Sequence, residues 1–167
     1  MTTDQLFMTR ALELAQCAAD KGEVPVGAVI VHKGKIVGEG YNQPITRCDP
    51  TAHAEIVALR EAAIRTSNYR LMGCDLYVTI EPCTMCVGAL MHARINRIIF
   101  GATEPRAGAL ESQLQLAENG PYNHSINWQG GVLAEQCSLL IKQFFQNKRV
   151  LQKQSNALVQ SGDISTV

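Results

Sequence analysis

The chain has 167 residues, of which 46% are hydrophobic and 18% charged, and its basic and acidic side chains balance to a formal net charge of zero. That length suits one domain that buries roughly 70% of its unfolded surface, and the composition excludes wholesale disorder. No apolar run reaches the ~18 residues of a membrane span, and Met1-Thr2-Thr3-Asp4-Gln5 lacks the basic-then-apolar layout of a secretory signal, so a cytoplasmic protein is expected.

Phe7, Ala11, Leu14 and Ala18 recur at helical spacing and predict an amphipathic helix over 4–21, ended by Gly22. Val24 to Val31 is an apolar, β-branched run that turns at Lys33-Gly34 into Ile36 to Tyr41. This reads as a hairpin whose first strand is buried on both faces, broken by Asn42-Gln43-Pro44. Asp49 or Thr51 can cap a helix over about 52–66. Asp75 to Ile80 is a short strand, Thr84 to His92 a helix after Pro82, and Ile95 to Phe100 another strand. Strands alternating with helices imply crossover units, an at least partly parallel sheet and helices on both of its faces.

From Gly101 to Tyr122 the pattern becomes a long irregular loop, a functional or mobile segment in most compact domains. Ser125 to Trp128 fits an edge strand. Leu133 to about Val150 fits a last helix with Cys137, Leu140, Ile141, Phe144 and Phe145 on its apolar side. No linker or repeat interrupts the chain, so a single domain is expected over 1–152, followed by a flexible tail over 153–167.

Between Glu135 and Asp163 lie Lys142, Lys148, Arg149 and Lys153 with no acid, and Arg94, Arg97 and Arg106 are offset only by Glu104. Such runs are solvated faces or, on an otherwise balanced protein, a local grip on phosphates. Six cysteines stand at 17, 48, 74, 83, 86 and 137. Without a secretory segment a disulfide framework is not expected, and the four isolated ones read as plain buried thiols.

Cys83 and Cys86 are different. Three apart at the start of a helix, they can point from one face, and a helix N-terminus favours their thiolate form. Zinc takes thiolates and neutral imidazole, and a catalytic site supplies three protein ligands and leaves the fourth position to water. His53 completes the three. Glu55 cannot share a face with His53 in mid-helix, but at a first turn both can reach one pocket. Zinc lowers the pKa of bound water to about 7, and a nearby carboxylate can carry its proton. A structural site would need a fourth protein ligand; Cys48, Cys74 and Cys137 are candidates, but none has a paired spacing.

His53-Ala54-Glu55 followed by Pro82-Cys83-Thr84-Met85-Cys86 matches the signature of the zinc nucleobase deaminases. Glu23 to Val29, Gly38 to Asn42, Asn68 to Leu71, Phe100 to Ala102 and Asn123-His124 further resemble the bacterial tRNA-specific adenosine deaminases, over about residues 4–150. The resemblance implies a cytidine deaminase-like α/β fold of three layers, α/β/α, around a mixed five-stranded sheet. It implies hydrolysis of adenosine to inosine at wobble position A34 of a tRNA anticodon stem-loop, by a homodimer with one Zn2+ per subunit. His53, Cys83 and Cys86 would then hold the metal and Glu55 would shuttle protons. Asn42 and the backbone at Ala54 would orient the flipped base, and Asn123 would join the substrate contacts. Phe144, Phe145 and Arg149 would close the pocket and touch the anticodon loop, or else form a core face and a solvated charge. Glu104 stands where the family usually has an aspartate near the ribose, one methylene longer in reach.

Two other readings share the residues. A deaminase of free bases or nucleosides would not need the Arg and Lys clusters, and a zinc-binding accessory subunit without activity would not need Glu55.

Overall fold

The structure, a computed structural model, describes residues 1–161. Helix α1 (Thr3–Asp20) starts with a reciprocal cap, in which the Thr2 hydroxyl accepts from Gln5 N–H and the Gln5 side chain accepts from Thr2 N–H. Strands β1 (Gly27–His32) and β2 (Lys35–Tyr41) form the expected hairpin, with β1 almost wholly buried. A one-turn helix α2 (Pro44–Arg47) follows, then α3 (Ala54–Thr66), β3 (Cys74–Ile80), α4 (Thr84–His92) and β4 (Arg97–Ala102). The loop beyond contains a second one-turn helix, α5 (Leu116–Asn119), and leads to β5 (Asn127–Gln129) and α6 (Ala134–Ser161).

The sheet runs β2-β1-β3-β4-β5. β1 is antiparallel to both β2 and β3, whereas β3, β4 and β5 are mutually parallel. Mixed pairing was therefore expected correctly, and the helices cover both faces. Ala28, Ile30, Leu76, Val78, Ile98 and Phe100 point to a core shared with α3 and α4. The alternate residues Val29, Val31, Tyr77 and Ile99 pack with Phe7, Met8, Ala11 and Leu14 of α1 and with Cys137 of α6. Period-two alternation on a sheet buried on both sides thus builds two cores from one set of strands.

Close helix–strand contact sets where α3 lies. A Cβ on Gly40 would stand 2.3 Å from Ala54 O and 2.6 Å from Ala58 N, and one on Gly38 2.4 Å from Ala58 O. The two glycines let the backbone of α3 ride directly on β2, and α3 carries the first functional residues. At the outer edge of β2, Glu39 N–H donates to Glu61 of α3 at 2.6 Å, and the Glu39 carboxylate takes Arg10 of α1 at 2.7 Å.

Several expectations need correction. Neither Asp49 nor Thr51 caps α3. His53 occupies the N-cap, because Asp49 is engaged by Thr51 N–H and Oγ1 in a local turn. The last helix does not end near Val150: residues 153–161 of the expected tail continue α6, and 162–167 lie outside the described residues. Cys17 and Cys48 are exposed rather than buried, since Cys17 falls on the solvent stripe of α1 and Cys48 follows the surface helix α2. The Arg94/Arg97/Arg106 cluster does not exist as one surface. Arg97 is held by Asp4 at 2.9 Å and Asp75 at 3.3 Å, with the Tyr77 hydroxyl donating to Asp4 at 2.8 Å.

Two outcomes follow from this packing. Gly40→Ala forces α3 off β2 and lowers unfolding free energy by about 1–3 kcal/mol, measured by urea titration. Burial alone would raise the Asp4 carboxyl, but Arg97 and Tyr77 outweigh it and hold the group below its ordinary value. Its stabilising contribution is therefore complete above the unfolded value of about 4 and lost as pH falls through the lower folded value. Stability of the wild type should fall more steeply below about pH 4 than that of Asp4→Asn.

Candidate active site

The sequence places a helix start at each half of the signature, and the fold brings the two starts together. His53 is the N-cap of α3 (φ −71°, ψ 154°) and Cys83 the N-cap of α4 (φ −79°, ψ 174°). Neither side chain is committed to a capping hydrogen bond, and the two face each other across the space between the helices. Cys86, one turn into α4, is fully buried. The His53, Cys83 and Cys86 donor atoms all lie within 4.8 Å of one another.

This trio fits a metal. His53 Nδ1 lies 3.7 Å from Cys83 Sγ and 3.6 Å from Cys86 Sγ. A tetrahedral zinc with bonds of ~2.3 Å to sulfur and ~2.05 Å to nitrogen would set those atoms about 3.6 Å apart. The donors are soft, and Nδ1 is the ring nitrogen that faces the sulfurs. Among the described residues no fourth His, Cys, Asp or Glu atom joins the group, which leaves a coordination position to solvent or substrate.

The electrostatics agree. Cys83 is lowered to about 4, first by the hydrogen bond from the Cys86 thiol and then by His53 against the pull of burial. Cys86 is driven upward by the neighbouring Cys83 and by burial. The pair thus gives up one proton readily and the second only with a cation present. His53 is raised by its bond to Cys83. Glu55 is 3% exposed, and desolvation lifts its carboxyl to about 6, against hydrogen bonds from its own N–H and the Cys86 thiol. A buried carboxylate beside a metal-ligand cluster, titrating near neutrality, is equipped to exchange protons.

Asn42, at the end of β2, reaches across to α3, and its Oδ1 accepts from Ala54 N–H at 2.9 Å. These two residues are therefore joined to each other, and the bond satisfies the first free amide of α3 directly beside His53. Around them, two buried carboxylates hold segments outside the sheet, one the one-turn helix α2 and the other the loop after β4. Glu23, 1% exposed, accepts from Ile45 N–H (3.3 Å), Thr46 N–H (2.6 Å) and Thr46 Oγ1 (2.8 Å). Glu81, 2% exposed, accepts from backbone and hydroxyl donors of residues 104–112. Burial pulls Glu81 up, but these donors outweigh it and keep the carboxylate below its usual range. Neither glutamate was singled out from sequence. The available signal was an acid set among apolar residues and proline at a strand end.

The remaining candidates are dispersed. Glu104 is half-buried, with its N–H on Glu81 and its Oε1 accepting from Arg106 N–H at 3.0 Å. Phe145 and Arg149 stand one turn apart on the exposed side of α6. Phe145 makes an edge contact to Phe144 and is 40% exposed, so it is not a core residue. Asn123 lines a cleft with Tyr69, Arg70, His92 and His124. His92 is the last residue of α4, so this cleft sits about 13 Å of helix away from Cys83.

Replacing ligands and carboxylate separately tests the division of labour. His53→Ala or Cys86→Ser should abolish zinc retention, whereas Glu55→Gln should keep about one equivalent, measured by elemental analysis of dialysed protein.

The sequence profile of the cytidine and deoxycytidylate deaminase zinc-binding region matches residues 1–102. The chain is 48% identical over 159 residues to a tRNA-specific adenosine deaminase of Haemophilus influenzae, covering 95% of this chain and 92% of that protein. It is 39% identical to the tRNA-specific adenosine deaminase of Bacillus subtilis, covering 92% and 95%. A solved structure from work on A-to-I editing by tRNA:A34 deaminases superposes with a TM-score of 0.79 at 38% identity, covering 81% of this chain and 98% of that one. A guanine deaminase of Nitrosomonas europaea (TM-score 0.73, 21% identity, 84% and 83% covered) shares the fold. With the ligand trio, the buried carboxylate and matches that run nearly end to end, the chain belongs to the tRNA-specific adenosine deaminases of the zinc-binding cytidine and deoxycytidylate deaminase family.

Proposed function

We propose that this protein deaminates adenosine to inosine at wobble position 34 of a tRNA, releasing ammonia. The observation that carries the reading is a three-donor cluster with an open position and a separate carboxyl, Glu55, buried against it. The tRNA specificity draws on the relatives at 48% and 39% identity.

His53, Cys83 and Cys86 would hold one Zn2+ per subunit, and the bound ion would polarise a water and lower its pKa toward 7. Glu55 would take a proton from the attacking water and deliver it to N1 of adenine as the oxygen adds to C6. The proton left on the added C6 hydroxyl would then pass through Glu55 to the 6-amino group, which leaves as ammonia as the C–N bond breaks and C6=O forms. A carboxyl near 6 is matched to both halves of this task. Burial excludes bulk water from its path, and the Asn42–Ala54 bond keeps the start of α3, and so Glu55, in register with the ligands.

The substrate is the anticodon stem-loop, with the reacting base flipped out of the stack. In this reading Asn42 meets the base, Glu104 the ribose side, and Phe145 and Arg149 the flanking nucleotides. Lys142, Lys148, Arg149 and Lys153 are all exposed on α6 and offer a phosphate-facing surface. Asn123 would meet RNA only at the far end of α4. A homodimer is consistent with the exposed apolar residues Tyr69, Met72, Val150 and Leu151. Among the described residues no helix is long and apolar enough to cross a membrane, in keeping with work on cytoplasmic tRNA.

The test is zinc-loaded protein incubated with an anticodon stem-loop bearing A34, with nucleoside mass analysis as readout. Inosine at position 34 is expected, and its absence overturns the reading. Glu55→Gln should lower kcat by about 10²–10⁴-fold while zinc is retained.

A further inference from the structure

Five hydrogen-bond donors from one loop converge on one carboxylate, two residues before a metal ligand. Glu81 Oε1 accepts from the N–H groups of Leu110 (3.1 Å), Glu111 (2.7 Å) and Ser112 (2.9 Å). Oε2 accepts from Glu104 N–H at 3.0 Å and from the Ser112 hydroxyl. The same loop bonds the next residue of the ligand segment, Ala109 N–H donating to Pro82 O at 2.9 Å. Gly108 makes this approach possible, because a Cβ there would stand 2.3 Å from Glu81 Cδ.

We propose that Glu81 is a positioning residue for substrate binding: it fixes the 104–112 loop against the Cys83 segment and thereby holds Glu104 in place for the RNA. The proposal rests on the tRNA deaminase reading. It explains why a charged side chain is buried at the end of β3, and how an otherwise irregular loop is tied to the site. Only an acceptor-only group satisfies every donor here. A glutamine oxygen could keep the three amides of residues 110–112, but its NH2 would then face Glu104 N–H, donor against donor. The Ser112 hydroxyl can rotate to accept, whereas the Glu104 amide cannot. The loss therefore falls on the residue placed nearest the ribose, and not on Glu55 or the ligands.

Two variants test this from opposite sides. Glu81→Gln changes the acceptor, and Gly108→Ala displaces the carboxylate while leaving it charged. Each should raise KM for the A34 stem-loop about tenfold with kcat within about twofold and zinc content unchanged. Because both act on one contact, the double variant should be no worse than about the poorer single one. Amide hydrogen exchange, read without substrate, should quicken at Glu104 and stay unchanged in α3. Where Glu81→Gln yields no folded protein, Gly108→Ala carries the test. Unchanged KM in zinc-loaded variants, with only the melting temperature lowered, would make Glu81 a fold staple and overturn the proposal. Loss of zinc alongside activity would overturn it too, placing Glu81 in support of the ligands. A wild type that forms no inosine overturns the activity reading itself, whereas an active wild type with unaffected variants overturns this proposal alone.

Discussion

Everything at the site depends on two helices beginning at the same place. α3 and α4 both start with an extended N-cap residue whose side chain is a candidate metal ligand, and the two helix starts meet at the His53, Cys83 and Cys86 donor cluster. Each helix N-terminus carries about half a positive charge, which favours the first thiolate, on Cys83, before any cation arrives. The convergence is possible because β3 delivers its chain end directly into α4, while β2, lying beyond β1, lets α3 settle on its glycines. A side chain at Gly38 or Gly40 would move His53 and Glu55 together, away from Cys83 and Cys86.

Around that meeting point, side chains do what regular secondary structure does elsewhere. Asn42 satisfies the first amide of α3, Glu23 the amides of the 45–46 turn, and Glu81 those of the 104–112 loop. Among the described residues no buried side-chain polar atom lacks a partner. Loops that would otherwise sample many conformations are thereby held in one, and a reaction centre gains from parts set in advance of the substrate.

Much of this was legible in the sequence, for identifiable reasons. The His53/Glu55 and Cys83/Cys86 spacings encode local geometry at a helix start, and local geometry survives into the fold. Strands β1, β3 and β4 are apolar runs buried on both faces, so their composition alone declared them. The length of α6 was missed because residues 151–160 are exposed and bury no periodic stripe. Leu151 to Ser161 contains neither glycine nor proline, and intrinsic propensity rather than packing continues the helix there. Partners far apart in sequence were also out of reach. Arg97 read as part of a basic cluster because nothing near it reveals Asp4, 93 residues away. The start of α3 failed for a related reason: Asp49 and Thr51 are good caps in isolation, and here they bond each other.

The contact between Glu39 and Glu61 has a bearing on how the sheet ends. β2 is an edge strand, and an edge strand exposes outward-facing amides to which a foreign strand can add. Glu39 N–H is already taken by a carboxylate from α3, which Arg65 holds in turn, while Arg10 draws the Glu39 side chain toward α1. At the opposite edge β5 is only three residues long and gives way to Gly130-Gly131. A sheet bordered in this way offers little template for stacking into fibrils or for swapping strands between chains, even though its central strands are among the most β-prone segments of the sequence.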